Sequence, residues 1–216
     1  MIMGGFDFQG LALPAAFLIL FTTLALLTFR DWRISLGFLS LQYIGVFIFV
    51  AMSWTLMMSL TKLVAGWIAV AVLGMALSNS ESANLITDQR STSEKLFPRL
   101  TGLSLAAWIF RVVTALMIVL VVLTVAPATT GWVPRIRFEQ VLGALILLGL
   151  GLLHLGLTAN PLRVVIALLT TLSGFEIIYA SVEFSTLVAG LLAGVNLGLA
   201  LIGAYLLSAP PVEVKP

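Results

Sequence analysis

The sequence predicts an all-α polytopic membrane protein with about seven transmembrane helices, arranged as two parallel three-helix repeats flanking a central helix. Three observations lead there. The 216 residues are 61% hydrophobic and only 9% charged, with a mean hydropathy of +1.16, whereas soluble domains carry about a quarter charged residues. Seven apolar runs approach the roughly 20 residues that cross a bilayer. One stretch of the chain repeats another in the same register.

In order, the apolar runs are about 11–29, 34–53, 55–78, 101–127, 139–158, 162–182 and 184–207. No basic residue precedes the first run, so it lacks the positive flank of a cleavable signal peptide and is expected as a retained helix. Runs two and three meet at Trp54, and runs six and seven at Glu183; turns this short make both pairs antiparallel hairpins. The segment 79–100 is polar and charged and is expected as a cytoplasmic loop. The loop 128–137 holds Gly131, Trp132 and Pro134, and the tail 208–216 is proline-rich and extended.

Lys and Arg mark the cytoplasmic side of membrane proteins. Alternating crossings place Arg30, Arg33, Arg90, Lys95, Arg99, Arg163 and Lys215 on one side and Arg135 and Arg137 on the other. That asymmetry predicts an N-terminus outside and a C-terminus in the cytoplasm.

The repeat is LVAGWIAVAVLGMAL at 63–77 against LVAGLLAGVNLGLAL at 187–201, identical at nine of fifteen positions without a gap. Arg33 and Arg163 stand at matching places before the second helix of each unit. The units are then 11–78 and 139–207. A three-helix unit would invert its successor; the helix at 101–127 restores the sidedness and makes the repeats parallel. Small residues at such spacing let helices approach closely, which nominates Gly66, Gly74, Gly190 and Gly198 as packing positions.

The absence of cysteine rules out disulfides and thiolate metal sites, and the single histidine cannot build a zinc site. No motif for a nucleotide, flavin, haem or iron–sulfur cluster appears. The charge balance does not suggest nucleic-acid binding. No cofactor, metal or catalytic residue is expected.

Charged groups inside the apolar runs carry the remaining information. Glu176 is a lone carboxylate in the sixth run, and an intramembrane acid is by default a candidate functional site. It either carries protons or is held neutral by a neighbouring helix. Lys62 lies at a depth that lets it pair with Glu176; alternatively its long stem snorkels to the interface. Arg111, placed near mid-membrane by the run 101–127, needs an acceptor: Glu176, Thr114, a carbonyl or a partner's acid. His154, near the cytoplasmic end of the fifth run, either relays protons or is a satisfied, partly wet histidine. Glu176, Lys62, Arg111 and His154 are thus the candidate proton path.

The turn Asn160-Pro161-Leu162-Arg163, leading into an apolar helix with an acid, resembles the K-type subunit of respiratory complex I and the C subunit of Mrp-type antiporters. The duplicated form with an added helix is similar to component E of hydrogenase-4. The likeness covers 139–207 best. The family's glutamate would fall near Leu169 or Leu172, one or two turns before Glu176, and its acid in the third helix of the unit has no counterpart beyond Asn196 or Glu183. The resemblance implies a membrane-arm subunit of a redox-driven proton- or sodium-translocating complex in a bacterial or archaeal plasma membrane. Its partners would be antiporter-like and quinone-side membrane subunits, with the lipid bilayer around it. A purely structural scaffold subunit and an independent small transporter are the alternatives.

Overall fold

The computed structural model describes residues 8–29, 31–88, 105–133 and 135–208, and all regular structure among them is helical. A 3-10 turn at Phe8–Leu11 leads into seven helices: α1 Ala12–Thr28, α2 Trp32–Ala51, α3 Leu56–Asp88, α4 Leu105–Thr129, α5 Phe138–Gly156, α6 Pro161–Tyr179 and α7 Thr186–Ser208. Six of them hold segments long and apolar enough to cross a membrane. α1, with 17 residues, extends only about 26 Å and falls just short. The chain is an integral membrane protein.

Local sequence explains where the helices begin. Asn160 caps α6 by accepting the Leu162 N–H at 3.1 Å, and Pro161 supplies a first helical residue that needs no donor of its own. α5 starts at a clamp: the Gln140 side chain accepts the Arg137 N–H at 3.0 Å and donates to the Phe49 carbonyl at 2.8 Å and to the Ser53 hydroxyl at 3.0 Å. One buried amide thereby fixes the start of α5 to the end of α2.

The helices form two rows packed face to face. α2 lies between α1 and α3, and α6 between α5 and α7; across the rows α1 meets α5, α2 meets α6 and α3 meets α7. Two polar ties fix the ends. At one end Trp54 Nε1 donates to the Glu183 carbonyl at 2.7 Å, joining the α2–α3 turn to the α6–α7 turn. At the other, Arg163 Nη2 donates to the carbonyls of Phe29 at 2.6 Å and Leu26 at 3.3 Å, joining α6 to the end of α1.

Glycines permit the closest approaches. A Cβ on Gly174 would stand 2.7 Å from the Ala144 carbonyl oxygen and 2.9 Å from the Leu148 nitrogen, so α5 and α6 touch backbone to backbone there. Gly143 receives the Phe49 ring and Gly151 the Thr171 side chain in the same way.

Three expectations are corrected. α4 lies between the two triplets in sequence but not in space. It packs on α5 and on the flank of α1, and most of its surface is exposed. Its side chains are apolar on nearly every side, with Phe110, Val113, Leu116, Met117, Leu120 and Val121 all exposed, so lipid accommodates it and no burial is required. Second, the polar segment after 78 does not begin as a loop: α3 continues to Asp88, nine residues or about 14 Å beyond its apolar stretch Leu56–Asn79. Polarity ends a membrane span without ending a helix. Third, the run at 11–29 gives the shorter helix α1. The rest of the polar segment, the tail after Ser208, and Arg30, Arg90, Lys95, Arg99 and Lys215 lie outside the described residues.

Candidate functional site

Four helices place one polar side chain each around a common point. Glu176 sits three residues before the end of α6, Lys62 six residues into α3, Asn196 ten residues into α7 and Tyr43 eight residues before the end of α2. The rise per residue puts all four between about 5 and 15 Å from the Trp54 end of the bundle. All four are buried, Lys62 at 4% and Glu176 at 2% exposure.

The contacts close a ring. Lys62 Nζ forms an ion pair with Glu176 Oε2. Glu176 Oε1 accepts from Asn196 Nδ2 at 2.7 Å, and the same amide nitrogen donates to the Leu192 carbonyl at 2.9 Å. Asn196 Oδ1 accepts the Tyr43 hydroxyl at 3.3 Å. The face of the Tyr43 ring returns to Lys62, whose Nζ stands 5.2 Å from the ring centroid. An ammonium over an aromatic face gains electrostatic attraction that grows as water is removed.

Gly66, one turn after Lys62 on α3, makes this ring possible. A Cβ there would lie 2.5 Å from both Cγ and Cδ1 of Tyr43. The atoms in the way belong to the base of a rigid ring, so a side chain at 66 would push the whole phenol out from under the ammonium.

Each buried charge needs this company. An isolated ion in hydrocarbon is costly, and a buried pair is tolerated only where geometry and further hydrogen bonds compensate desolvation. Here both carboxylate oxygens of Glu176 are engaged. A carboxyl and an amine in contact can also pass a proton between them without bringing net charge into the bundle.

The four candidate proton-path residues divide into two groups. Lys62 and Glu176 come together, and Lys62 turns inward rather than snorkelling. Arg111 and His154 lie at the opposite end. Arg111 lines a cleft with Leu157, Thr158, Ala159 and Asn160 of the α5–α6 turn, so it stands level with that turn and not at the mid-membrane position expected for it. His154 is 4% exposed, and its Nε2 makes no hydrogen bond among the described residues. Arg163 and Glu176 are 13 residues apart on α6, or about 20 Å.

The four glycines also separate. Gly66 meets Tyr43, and a Cβ on Gly74 would rest 3.6 Å from Leu36, an ordinary contact. Nothing lies within 4 Å of a Cβ on Gly190 or Gly198, so the helix-packing role expected for these two is corrected. α7 turns Ala189, Ala193, Asn196, Ala200 and Gly203 inward instead.

Tyr43 and Asn196 were not nominated from the sequence. Asn196 replaces Val72 of the matching stretch, and that lone polar change in a repeated apolar helix was the available signal. Tyr43 gave none beyond being an aromatic residue in an apolar run. Among the described residues no three His, Asp or Glu side chains gather where a metal could be held. No family model, curated protein or solved structure matches the chain.

Proposed function

We propose that the chain is a membrane-arm subunit of a redox-driven proton- or sodium-translocating complex, of the complex I and group 4 hydrogenase type, in a bacterial or archaeal plasma membrane. The Lys62–Glu176 pair is its proton-handling centre. The observation that carries this reading is the ion pair itself, buried and bridging α3 and α6, with its acid also bonded to α7. Protonation of Glu176 releases Lys62, and the Tyr43 ring holds the ammonium while the acid is neutral. The pairing of α1 with α5, α2 with α6 and α3 with α7 supports a parallel duplication. In the proposed orientation Arg33 and Arg163 face the cytoplasm and the centre lies in the outer half of the membrane.

The experiment is copurification of the tagged chain from native membranes, followed by Glu176→Gln in the recovered complex. The expected result is a hydrogenase- or quinone-reductase-type assembly in which the variant still turns over while proton translocation per turnover is lost. Recovery of an isolated oligomer would refute the subunit assignment. Unchanged translocation in the variant would refute the role of the acid.

A second reading is a scaffold without proton traffic. Its support is the closure of the ring: every member finds its partner within this chain, as a structural lock between four helices requires. In that case Glu176→Gln loosens the bundle and leaves coupling intact wherever the complex assembles.

A further inference from the structure

Gln42 and Thr170 are buried polar side chains that the ring of four does not use. Each is 1% exposed. Neither end of the Gln42 amide has a hydrogen-bond partner among the described residues, and neither has Thr170 Oγ1. Both ends of the amide share this condition, so exchanging its oxygen and nitrogen changes nothing. Thr170 also departs from the habit of other helical threonines. Thr22, Thr23, Thr114 and Thr171 each donate to a carbonyl of their own helix; Thr170 does not.

The helix faces bring these two side chains together. Ser35, Leu39, Gln42, Val46 and Phe49 are all buried and form one stripe along α2. Phe49 of that stripe meets Gly143 of α5, while Tyr43 and Gly45 turn sideways to α3 and α1. The stripe therefore faces the second row. On α6, Gly174 meets α5 and Val165 meets Gly203 of α7. The stripe between them, Ile166, Thr170, Ser173 and Ile177, faces α2, which α6 meets across the rows. α2 and α6 run in the same direction. Gln42 is the eleventh of 20 residues in α2 and Thr170 the tenth of 19 in α6, so both stand at mid-height. They also mark a boundary in the core. Leu39 belongs to one apolar cluster with Ile166 and Leu169, and Val46 to another with Ile177.

We propose that Gln42 and Thr170 bind water in the seam between α2 and α6. The amide offers two donors and two lone pairs and the hydroxyl a donor and an acceptor. Buried water takes about three hydrogen bonds from groups of this kind. A cation fits less well. Gln42, Thr170 and Ser173 supply three neutral oxygens, whereas hard cations take about six or more, and Lys62 already answers the charge of Glu176. Glu176 lies six residues beyond Thr170 on α6, or about 9 Å, so the water extends the polar ring toward the middle of the bundle. The inference adds to the proton-handling reading without resting on it.

The test is solid-state NMR of the full chain in a lipid bilayer, reading magnetisation passed from water to nitrogen-labelled glutamine side chains. Gln140 is the dry reference: it is equally buried, and its amide donates to the Phe49 carbonyl and the Ser53 hydroxyl. The expected result is transfer to Gln42 at least about threefold greater than to Gln140. Thr170→Val keeps the side-chain shape, removes a partner of the water and should lower the Gln42 transfer by about half. Gln42 is assigned through backbone correlations, so the comparison on the unaltered chain needs no variant. Transfer to Gln42 no greater than to Gln140 overturns the proposal, as does a Gln42 signal that Thr170→Val leaves unchanged. A Gln42 signal that shifts as sodium replaces N-methylglucamine at constant ionic strength identifies a cation site and overturns the assignment to water. The readout is hydration and not translocation, so a dry seam leaves the role of Glu176 to its own test.

Discussion

Neutralising one member of the Lys62–Glu176 pair should cost more than neutralising both. Consider Lys62→Met, Glu176→Gln and the double variant. In Glu176→Gln the ammonium at 62 remains 4% exposed, with the Tyr43 face and one amide oxygen for company. The ring is worth about 2 kcal/mol to a desolvated cation, while breaking a buried pair costs about 3–5 kcal/mol. A loss near 3 kcal/mol follows. Lys62→Met leaves a carboxylate that keeps the Asn196 bond alone, with a loss of similar size. The double variant replaces both charges by groups of matching length, keeps an amide for Asn196 and should sit within about 1 kcal/mol of the parent, since apolar replacement of a buried pair is often neutral. The coupling is then at least about 5 kcal/mol. Denaturant titration in mixed micelles, read by fluorescence of the five tryptophans, measures it. A coupling near 0.6 kcal/mol, the average for polar contacts between membrane helices, would show that the pair contributes no more than an ordinary interhelical hydrogen bond and would refute the reasoning.

The same titration checks two further expectations. Gly66→Ala should destabilise by about 1–3 kcal/mol, because its methyl group overpacks against the base of the Tyr43 ring, whereas Gly190→Ala, facing open space, should stay within about 0.5 kcal/mol. Gln140→Ala removes the acceptor of the Arg137 N–H and the donor to Phe49 and Ser53 at once, so a loss of about 1–3 kcal/mol is expected; no loss would mean that the clamp between α2 and α5 is unimportant.

The helices were legible because bilayer thickness imposes one length on every apolar run, and the turns at Trp54 and Glu183 because so few polar residues interrupt the pattern. Glu176 was legible for the same reason: a charge in a run of leucines has no ordinary explanation. The pairing of Lys62 was only half legible. Sequence fixes its depth along α3 but not the rotation of α3 about its axis, and that rotation separates an inward ion pair from a snorkelled amine. Gly190 and Gly198 misled because the stretch that repeats Gly66 and Gly74 is rotated differently against its neighbours, so equal residues do not meet equal surroundings. Arg111 misled because depth counted along an apolar run is not depth in the bundle, where it lies level with the α5–α6 turn.

One residue separates the two readings of the site more sharply than Glu176 does. Gln42 precedes Tyr43 on α2, is 1% exposed, and neither end of its amide has a hydrogen-bond partner among the described residues; Thr170 Oγ1 on α6 is in the same condition. α2 and α6 pack together, and Thr170, Ser173 and Glu176 follow one another every three residues along α6. A buried amide left dry costs about 1–3 kcal/mol for each unmet group, and no scaffold gains from keeping it. For a scaffold, Gln42→Leu removes that cost, so the variant should be more stable by about 1–3 kcal/mol with coupling unchanged. For a proton-handling centre, the amide is useful because it can bond to water that enters the seam, and Gln42→Leu should slow proton translocation while the Lys62–Glu176 pair and the fold survive. Translocation per turnover, measured beside stability on the same preparation, decides: a stabilised variant that still pumps would reduce the ring of Tyr43, Lys62, Glu176 and Asn196 to a lock.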